Sequence, residues 1–428
     1  MMAYHYICLY SKSQRWNKHR IYAYQDRMLG RLLKHAGENV PYYRKLFSEI
    51  GFNPERFRGK EDMDKIPVLD KETFRQRKSE FIAKNAERFL PSLHKTSGST
   101  GTALKFLLDV RASVHDAAAA LRSYSWAGYY PGMKLFSVKD HLKKWEYKYS
   151  MMGRILNFDS NSVSQQSALR IWAEINRLKP FVFRSYPFTL MMLYRYGLKA
   201  GIQMHKPKTI ITTGESLPDS LRKKLESCYK AAVFDYYGMT ENAAMITECE
   251  YHNYHVIEDY AWHEFLDPGS EKVLKEGRGE IIATGFYNYS MPLIRYRTGD
   301  YAWIQPEKDG CACGRNFRIV KKIEGRKEDY IKTPEGVRLN LIETPLNVGI
   351  GIMMGQYVQD HPDHMYINIV PGPDFEKESL KAVEKDLRKL VGNSMSIDFR
   401  IVEVLENRGG TTGKVPFIYS KIGKSLYE

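Results

Sequence analysis

Residues 208–238 read KTIITTGESLPDSLRKKLESCYKAAVFDYYG. Lys208 to Thr212 is a short β-branched run, which predicts a strand. Ser220 to Tyr229 has helical spacing, and Ala232 to Tyr236 is strand again. The same alternation extends upstream, with a helix over Ile171–Leu178 and a short strand over Phe181–Phe183. Strands interleaved with helices predict an α/β fold with a largely parallel sheet. Further upstream, Leu104–Leu108 reads as a strand and the alanine-rich residues 112–127 as a helix ending near Gly128. The first 90 residues form a helical prelude: Met28, Leu29, Leu32 and Leu33 give a helix over Gln25–Ala36, and Asn39–Tyr43 reads as a loop.

The last hundred residues look separate. Met365–Val370 and Ile397–Val404 read as strands. Between them, Ser379–Val391 is a helix with Leu380, Val383, Leu387, Leu390 and Val391 on one face, closed by Gly392. The expected organisation is a large N-terminal domain over 1–327, with mainly parallel sheets flanked by helices. A small α+β C-terminal domain over 328–428 follows the linker-like stretch Glu324–Asp329.

The chain has 428 residues, 65 Lys plus Arg against 50 Asp plus Glu, and a formal charge of +15. That excess points to polyanionic partners: nucleic acid, a membrane surface or phosphorylated small molecules. No run approaches the ~18 apolar residues of a membrane helix. The N-terminus lacks the apolar core of a signal peptide, so the cytoplasm is the expected compartment. Five cysteines do not make a disulfide scaffold; paired ones read as metal or redox groups.

Thr96-Ser97-Gly98-Ser99-Thr100-Gly101-Thr102 packs five hydroxyls and two glycines between two expected strands, with Lys95 and Lys105 flanking. Glycine lets the backbone approach a ligand closely, and hydroxyls and free amides bind phosphate oxygens. A solvated turn is the plain alternative. The Walker pattern is absent.

Four further motifs follow: Thr213-Gly-Glu215, Asp235-Tyr-Tyr-Gly-Met-Thr-Glu241, Arg295-Tyr-Arg-Thr-Gly-Asp300 and Glu324-Gly-Arg-Lys-Glu-Asp329. Near the C-terminus stands Gly409-Gly-Thr-Thr-Gly-Lys414. In this order and spacing the chain resembles the adenylate-forming (acyl/aryl-CoA synthetase) superfamily. Within it, it looks most like the phenylacetate–coenzyme A ligases and their relatives from capsular polysaccharide biosynthesis. The resemblance covers nearly the whole chain. It implies activation of a carboxylate with ATP, giving acyl-AMP and pyrophosphate, then transfer to a nucleophile, usually coenzyme A.

The resemblance also implies roles. Ser97, Gly98, Ser99, Thr100 and Gly101 would hold the β- and γ-phosphates. Gly214 and Glu215 would lie along the adenine, Tyr237 would stack on it, and Asp235 would accept from its amine. Tyr236 and Gly238 belong to the same adenine-binding segment. Thr240 would touch the α-phosphate, and Glu241 would hold Mg2+. Asp300 would accept from both ribose hydroxyls, and Arg326 would reach the same ribose. Lys414 would offset the charge that develops on the α-phosphoryl group and carboxylate oxygen. With Thr240 and Glu241 it makes up the expected catalytic set. Glu328 is the expected hinge of a mobile C-terminal lid, although the family more often has Asp there. Gly336, in Thr333-Pro-Glu-Gly336, lines a coenzyme A tunnel or is an ordinary turn.

Cys311-Ala-Cys313, with Cys249 and a histidine some 60 residues upstream, matches a closed Cys3His zinc site. Reduced surface thiols are the alternative. The resemblance favours structural zinc, with His255 ahead of His252 as fourth ligand. Cys8 and Cys228 have no partners in sequence.

Two segments depart from the family. The phosphate loop ends Gly101-Thr-Ala103 where the family usually has Gly-x-Pro. Lys139–Tyr149 is basic and aromatic, which disfavours phenylacetate and suits a phosphorylated or sugar-linked acceptor, a solvated face being the alternative. The acyl pocket is expected near Tyr124–Trp126, Arg184–Pro187 and Thr212–Glu215. Ser123–Ala127 is bulky enough to suit an aryl or small acyl group, or plain core.

The leading expectation is an AMP-forming acid–thiol ligase using ATP, Mg2+ and coenzyme A on a small carboxylic acid, an aromatic acid included. The second is an amide synthase passing an acyl or aminoacyl group to an amine on a nucleotide sugar or glycan precursor. A basic nucleic-acid-binding protein is the third reading, but no helix-turn-helix, zinc-finger or RNA-binding signature is present. Oligomeric state is left open, a homodimer included.

Overall fold

The computed structural model describes residues 2–95, 104–139, 142, 146–306, 310–326, 330–339, 344–406 and 415–422, with the backbone alone at 325, 326, 338, 344 and 347. The chain divides into two compact units. One comprises Met1–Gly98, Thr102–Pro131 and Phe234–Glu324; the other comprises Ser99–Gly101, Gly132–Val233 and Gly325–Glu428.

In the first unit the helical prelude is present. The helix Lys18–Asn39 starts where the Asn17 side chain accepts from the Arg20 amide at 2.9 Å, an N-cap that satisfies one orphan donor. It buries Ile21, Tyr24, Met28, Leu29, Leu32, Leu33 and Ala36. The stretch Asn39–Tyr43 is not a loop. Val40 alone is extended, and Pro41 opens a new helix, Pro41–Glu49. Proline at the first helical position removes an amide that has no partner there anyway. The strands Ser92–Lys95 and Lys105–Leu108 pair antiparallel. Asp109 then caps the helix Val110–Trp126 through the Ala112 amide, 2.8 Å away.

The remaining strands of this unit are ordered Ala261–Leu266, Gly277–Gly285, Tyr296–Ile304, Ile319–Arg326, Tyr254–Val256, Met245–Glu248 and the Phe234–Gly238 part of Ala232–Gly238. Their assigned pairings are antiparallel. Among the described residues no helix separates them in sequence, as suits antiparallel strands, which can connect by short turns.

The second unit holds the parallel strands. Thr209–Thr213, Val182–Ser185, Leu135–Lys139 and Ile155–Asp159 are parallel neighbours in that order, and Tyr147–Ser150 adds an antiparallel edge. The helices Gln165–Leu178, Pro187–Lys199 and Asp219–Tyr229 lie between them in sequence. Trp172, Ile175, Phe183, Ile210 and Leu225 are wholly buried among them.

The C-terminal α+β element lies in the same unit. Its sheet is ordered Ser396–Ile401, His364–Pro371, Ile352–His361, Ile418–Ser420. The central pair is antiparallel and both outer pairs are parallel. The helix Leu380–Val391 buries Leu380, Val383, Leu387 and Val391. Leu390, expected on that face, is 42 % exposed: one residue from Val391, it is turned about 100° away around the helix. Met353, Met354, Val370 and Leu405 join the core of the Gly132–Val233 segment. Arg195 donates to the Glu403 carbonyl at 2.7 Å and pairs with its carboxylate at 2.9 Å.

Candidate functional site

The expected site residues fall into both units. In the first, Asp235, Tyr236, Tyr237 and Gly238 end the strand Ala232–Gly238, and Thr240 and Glu241 follow in a turn. Tyr237 donates its hydroxyl to the Asp300 carboxylate at 2.8 Å. The proposed stacking ring and the proposed ribose-binding carboxylate are therefore neighbours. Burial, with the Asp300 charge adding to it, pushes the Tyr237 phenol well above its ordinary range, so it stays a donor. Asp235 is buried and accepts from the Tyr254 hydroxyl at 3.0 Å, while its own amide donates to buried Glu248 at 2.9 Å. Tyr236 turns its ring back over Gly238, where an added Cβ would meet Tyr236 Cε1 at 2.8 Å. A side chain there would force that ring to shift. Glu241 is buried and accepts from the Tyr296 hydroxyl at 3.3 Å, whereas Thr240 is exposed.

The motif Arg295–Asp300 divides its labour. Asp300 is set by its own amide, which donates to the Thr298 hydroxyl at 3.1 Å, after Gly299 with φ +79°. Arg295 does not face the site. It is buried, has φ +48°, grips Glu264 through Nε (3.0 Å) and Nη2 (2.8 Å), and donates to the Ile66 carbonyl at 2.5 Å. That bidentate pair holds a backbone conformation that a non-glycine residue rarely adopts.

In the second unit, Gly214 has φ +75° and Glu215 follows. One Glu215 oxygen accepts the Phe188 amide at 3.1 Å, at the start of the helix Pro187–Lys199. The other accepts the Val415 amide at 2.9 Å. The carboxylate thus sits at the positive end of a helix. Gly336 has φ +90° and donates to the Thr333 carbonyl at 2.8 Å, in the turn between Ile331–Lys332 and Arg338–Leu339. Ser97, Gly98, Ser99, Thr100, Gly101, Glu328 and Lys414 lie outside the described residues, as does the Arg326 side chain.

Cys249, His255, Cys311 and Cys313 converge, their ligand atoms all within 4.8 Å of one another. The Cys249 and Cys311 sulfurs are 3.8 Å apart, and Cys313 Sγ is 3.4 Å from His255 Nε2. A tetrahedron with Zn–S of about 2.3 Å and Zn–N of about 2.05 Å has edges of roughly 3.8 and 3.5 Å, so the donor set fits zinc. His255 turns its other nitrogen to the Phe317 carbonyl at 3.3 Å, an outer contact that orients a ligating imidazole. The hydrogen bond between the Cys249 and Cys313 thiols holds Cys313 low, with His255 and Arg315 adding to it, and pushes Cys249 up. A thiophilic cation supplies the positive charge that lets the remaining thiols ionise.

His252 is not in the cluster: it stacks on Phe234 with centroids 4.7 Å apart, and its Nδ1 is 3.5 Å from Glu248. Sequence reasoning missed the surroundings of the four ligands. Trp126 was expected by the acyl pocket. It is buried against His255, with Arg315 4.1 Å over its ring and Gln14 accepting from its Nε1 at 2.9 Å. Arg15 donates to the Cys313 carbonyl at 2.8 Å.

Residues 332–421 match the family model of the CapK C-terminal domain. A phenylacetate–coenzyme A ligase of Thermus thermophilus is 26 % identical over 330 residues, 73 % of this chain and 72 % of its own. Protein CapK of Staphylococcus aureus is 22 % identical over 414 residues, 94 % and 90 % of the two chains. Among solved structures, 2-hydroxyisobutyryl-CoA ligase in the postadenylation state, in complex with R3-HIB-AMP, superposes with a TM-score of 0.79 at 17 % identity. The match covers 97 % of this chain and 92 % of that one. That likeness shows the fold.

Proposed function

We propose, for a chain that belongs to the adenylate-forming ligase superfamily beside the phenylacetate–coenzyme A ligases and CapK, an ATP-dependent acid–thiol ligase. It activates a small carboxylic acid as acyl-AMP with loss of pyrophosphate and passes the acyl group to coenzyme A. The observation that carries this reading is the Tyr237–Asp300 hydrogen bond at 2.8 Å, which joins two motifs 63 residues apart in sequence. Tyr237 offers a ring face for adenine. Asp300, fixed by Tyr237, keeps lone pairs for the two ribose hydroxyls. Buried Asp235 is an acceptor for the exocyclic amine, and Glu241 is the Mg2+ ligand.

Lys414 is the catalytic cation. Its ammonium stabilises charge on the α-phosphoryl and attacking carboxylate oxygens without itself changing protonation. The loop from Ser97 to Gly101 takes the β- and γ-phosphates, and Arg326 takes the ribose. The domain following residue 327 turns about Glu328 between the half-reactions. The Cys249–His255–Cys311–Cys313 cluster is a structural zinc site: four protein ligands close the tetrahedron and leave no open position for chemistry.

Amide formation on an amine-bearing sugar is the second reading; it shares the adenylation half-reaction and differs only in the acceptor. A pyrophosphate-release screen over carboxylic acids, followed by coenzyme A against amine acceptors, separates the two. Thioester formation upholds the first reading, and release with amines alone replaces it with the second.

A further inference from the structure

We propose that the N-terminal edge of the parallel sheet is a docking face for an anionic lipid surface, whatever reaction the chain catalyses. Strand register builds this face. Ile155, Leu135, Val182 and Thr209 are partners across the four parallel strands. The residues just before them, Arg154, Lys134, Phe181 and Lys208, therefore stand in one row. Backbone bonds hold the row: the Leu135 amide donates to the Arg154 carbonyl at 3.0 Å, Phe181 to Lys134 at 2.9 Å and Lys208 to Phe181 at 2.9 Å. With strands about 4.8 Å apart, four positions span about 15 Å.

The row is exposed and carries one sign of charge. Lys179 and Lys206 stand two residues ahead of Phe181 and Lys208, and Lys230 stands two ahead of the next strand, Ala232–Gly238. All three are exposed. The segments 132–134, 151–154, 179–181, 205–208 and 230–232 hold six Lys or Arg and no Asp or Glu. Among the described residues none of the six pairs with a carboxylate; Arg154 donates to the Gly132 carbonyl at 2.9 Å. Glu174, the acid nearest Lys179 in sequence, is held by Arg177 at 2.6 Å. Six cations without counter-ions on one edge suit an anionic surface.

An apolar tip stands ahead of the row. The turn Ser150–Gly153 is closed by the Gly153 amide on the Ser150 carbonyl at 3.1 Å. Its central residues are Met151 and Met152, with φ +49° and +52°. A turn with two positive φ values favours Asn and Gly. Here two long apolar side chains occupy it, 68 % and 99 % exposed. Neither turn chemistry nor packing accounts for them. Met152 precedes Arg154 by two residues, so the tip reaches up to about 7 Å beyond the row. Interfacial apolar groups enter the headgroup–acyl boundary by about 5–10 Å. The methionines thus meet acyl chains where the lysines meet phosphates. Nucleic acid offers the phosphates without an apolar layer behind them. Gly214 and Glu215 follow the opposite end of the strand Thr209–Thr213, so docking at this edge does not cover them.

The test is sedimentation of the full chain with large vesicles at about 0.1 M salt. The vesicles are phosphatidylcholine alone, or phosphatidylcholine with about one third phosphatidylserine. Three paired variants, all at exposed positions, are compared with wild type: Met151→Ser with Met152→Ser, Lys134→Ala with Lys208→Ala, and Lys381→Ala with Lys385→Ala. The last pair removes equal charge from the helix Leu380–Val391. A single-stranded RNA oligonucleotide is the competing probe.

Wild type should bind the phosphatidylserine vesicles, less so as salt rises, and not phosphatidylcholine alone. Each lysine near such a surface contributes about fivefold, so the Lys134 and Lys208 pair should lose about 25-fold. The methionine pair should lose at least about tenfold. The control pair should stay within about twofold of wild type. No binding to phosphatidylserine vesicles overturns the inference, as does binding indifferent to the methionine pair. Equal losses in the two lysine pairs mark net charge alone and overturn it too. RNA that displaces the vesicles, held by the row lysines and indifferent to the methionines, gives the face to nucleic acid instead.

Discussion

Removing one ligand of the cysteine–histidine cluster, by Cys313→Ser, should cost the first unit a large part of its thermal stability. Cys249 and His255 flank the turn between Met245–Glu248 and Tyr254–Val256, while Cys311 and Cys313 come from the turn before Ile319–Arg326. A metal held by all four cross-links positions 249 and 313 and so closes a loop of about 65 residues. The chain-entropy relation for a cross-link of that span gives roughly 4 kcal/mol at 25 °C. In a unit of about 220 residues, 1 kcal/mol moves Tm by about 2–4 °C, so the expected fall is roughly 8–16 °C. Metal analysis of protein purified without chelator should return about one zinc per chain for the wild type and well below that for Cys313→Ser. Scanning calorimetry with a zinc chelator should move the wild type to the Tm of the variant and leave the variant unmoved. Cys228→Ser, at a cysteine outside the cluster, should shift Tm by less than about 2 °C, as ordinary substitutions do. Wild-type protein that, before any chelator is added, already melts with the variant and does not move when chelator is added refutes the cross-link.

Three further outcomes follow from geometry. Tyr237→Phe removes the phenol that donates to Asp300; a hydrogen bond to a charged group contributes about 1.5–3 kcal/mol, so KM for ATP should rise about tenfold or more while kcat changes less, and an unchanged KM contradicts the placement. Arg295→Met leaves Glu264, which is 3 % exposed, without its bidentate partner; stability to urea should fall by about 3–5 kcal/mol, and a loss below about 1 kcal/mol contradicts the buried-pair reading. His364 sits between Asp360 at 2.5 Å and Asp398 at 3.1 Å, and the hydrogen bond it donates to Asp360 first, then that to Asp398, raises its pKa. A raised folded-state pKa gives stability that is complete below the unfolded histidine pKa and lost as pH rises through the folded one. His364→Gln should therefore lower Tm near pH 6 and match wild type near pH 9, as melts across that range would register; an equal effect at both pH values contradicts it.

The sequence reading succeeded where a pattern repeats along one element. The strand–helix–strand register of residues 208–238 appears as Thr209–Thr213, Asp219–Tyr229 and Ala232–Gly238, because strand and helix periodicities differ plainly over such lengths. It failed where one residue outweighs the pattern. Pro41 reads as a breaker, but after extended Val40 it starts a helix. The antiparallel strands from Met245 to Arg326 carry no intervening helices among the described residues, so the alternation that signals a parallel sheet does not describe them. Within the candidate site, the motif residues stand out in the sequence, and the residues that hold them do not. Asp300 stands in a motif, but its contact with Tyr237 is a product of folding. Cys249, Cys311 and Cys313 announce themselves by residue type, whereas Trp126, Gln14 and Arg315 around them look like any aromatic or polar residue.

The central claim is that this chain transfers the AMP of ATP to a carboxylate, releasing pyrophosphate, with Lys414 as the catalytic cation. Acid-dependent exchange of labelled pyrophosphate into ATP, over a panel of small aliphatic and aryl acids, tests it most directly. Wild-type protein should catalyse exchange with at least one acid and none without acid, and Lys414→Ala should lower that rate by about 100- to 1,000-fold. Exchange that is absent with every acid, or that survives Lys414→Ala undiminished, contradicts the account.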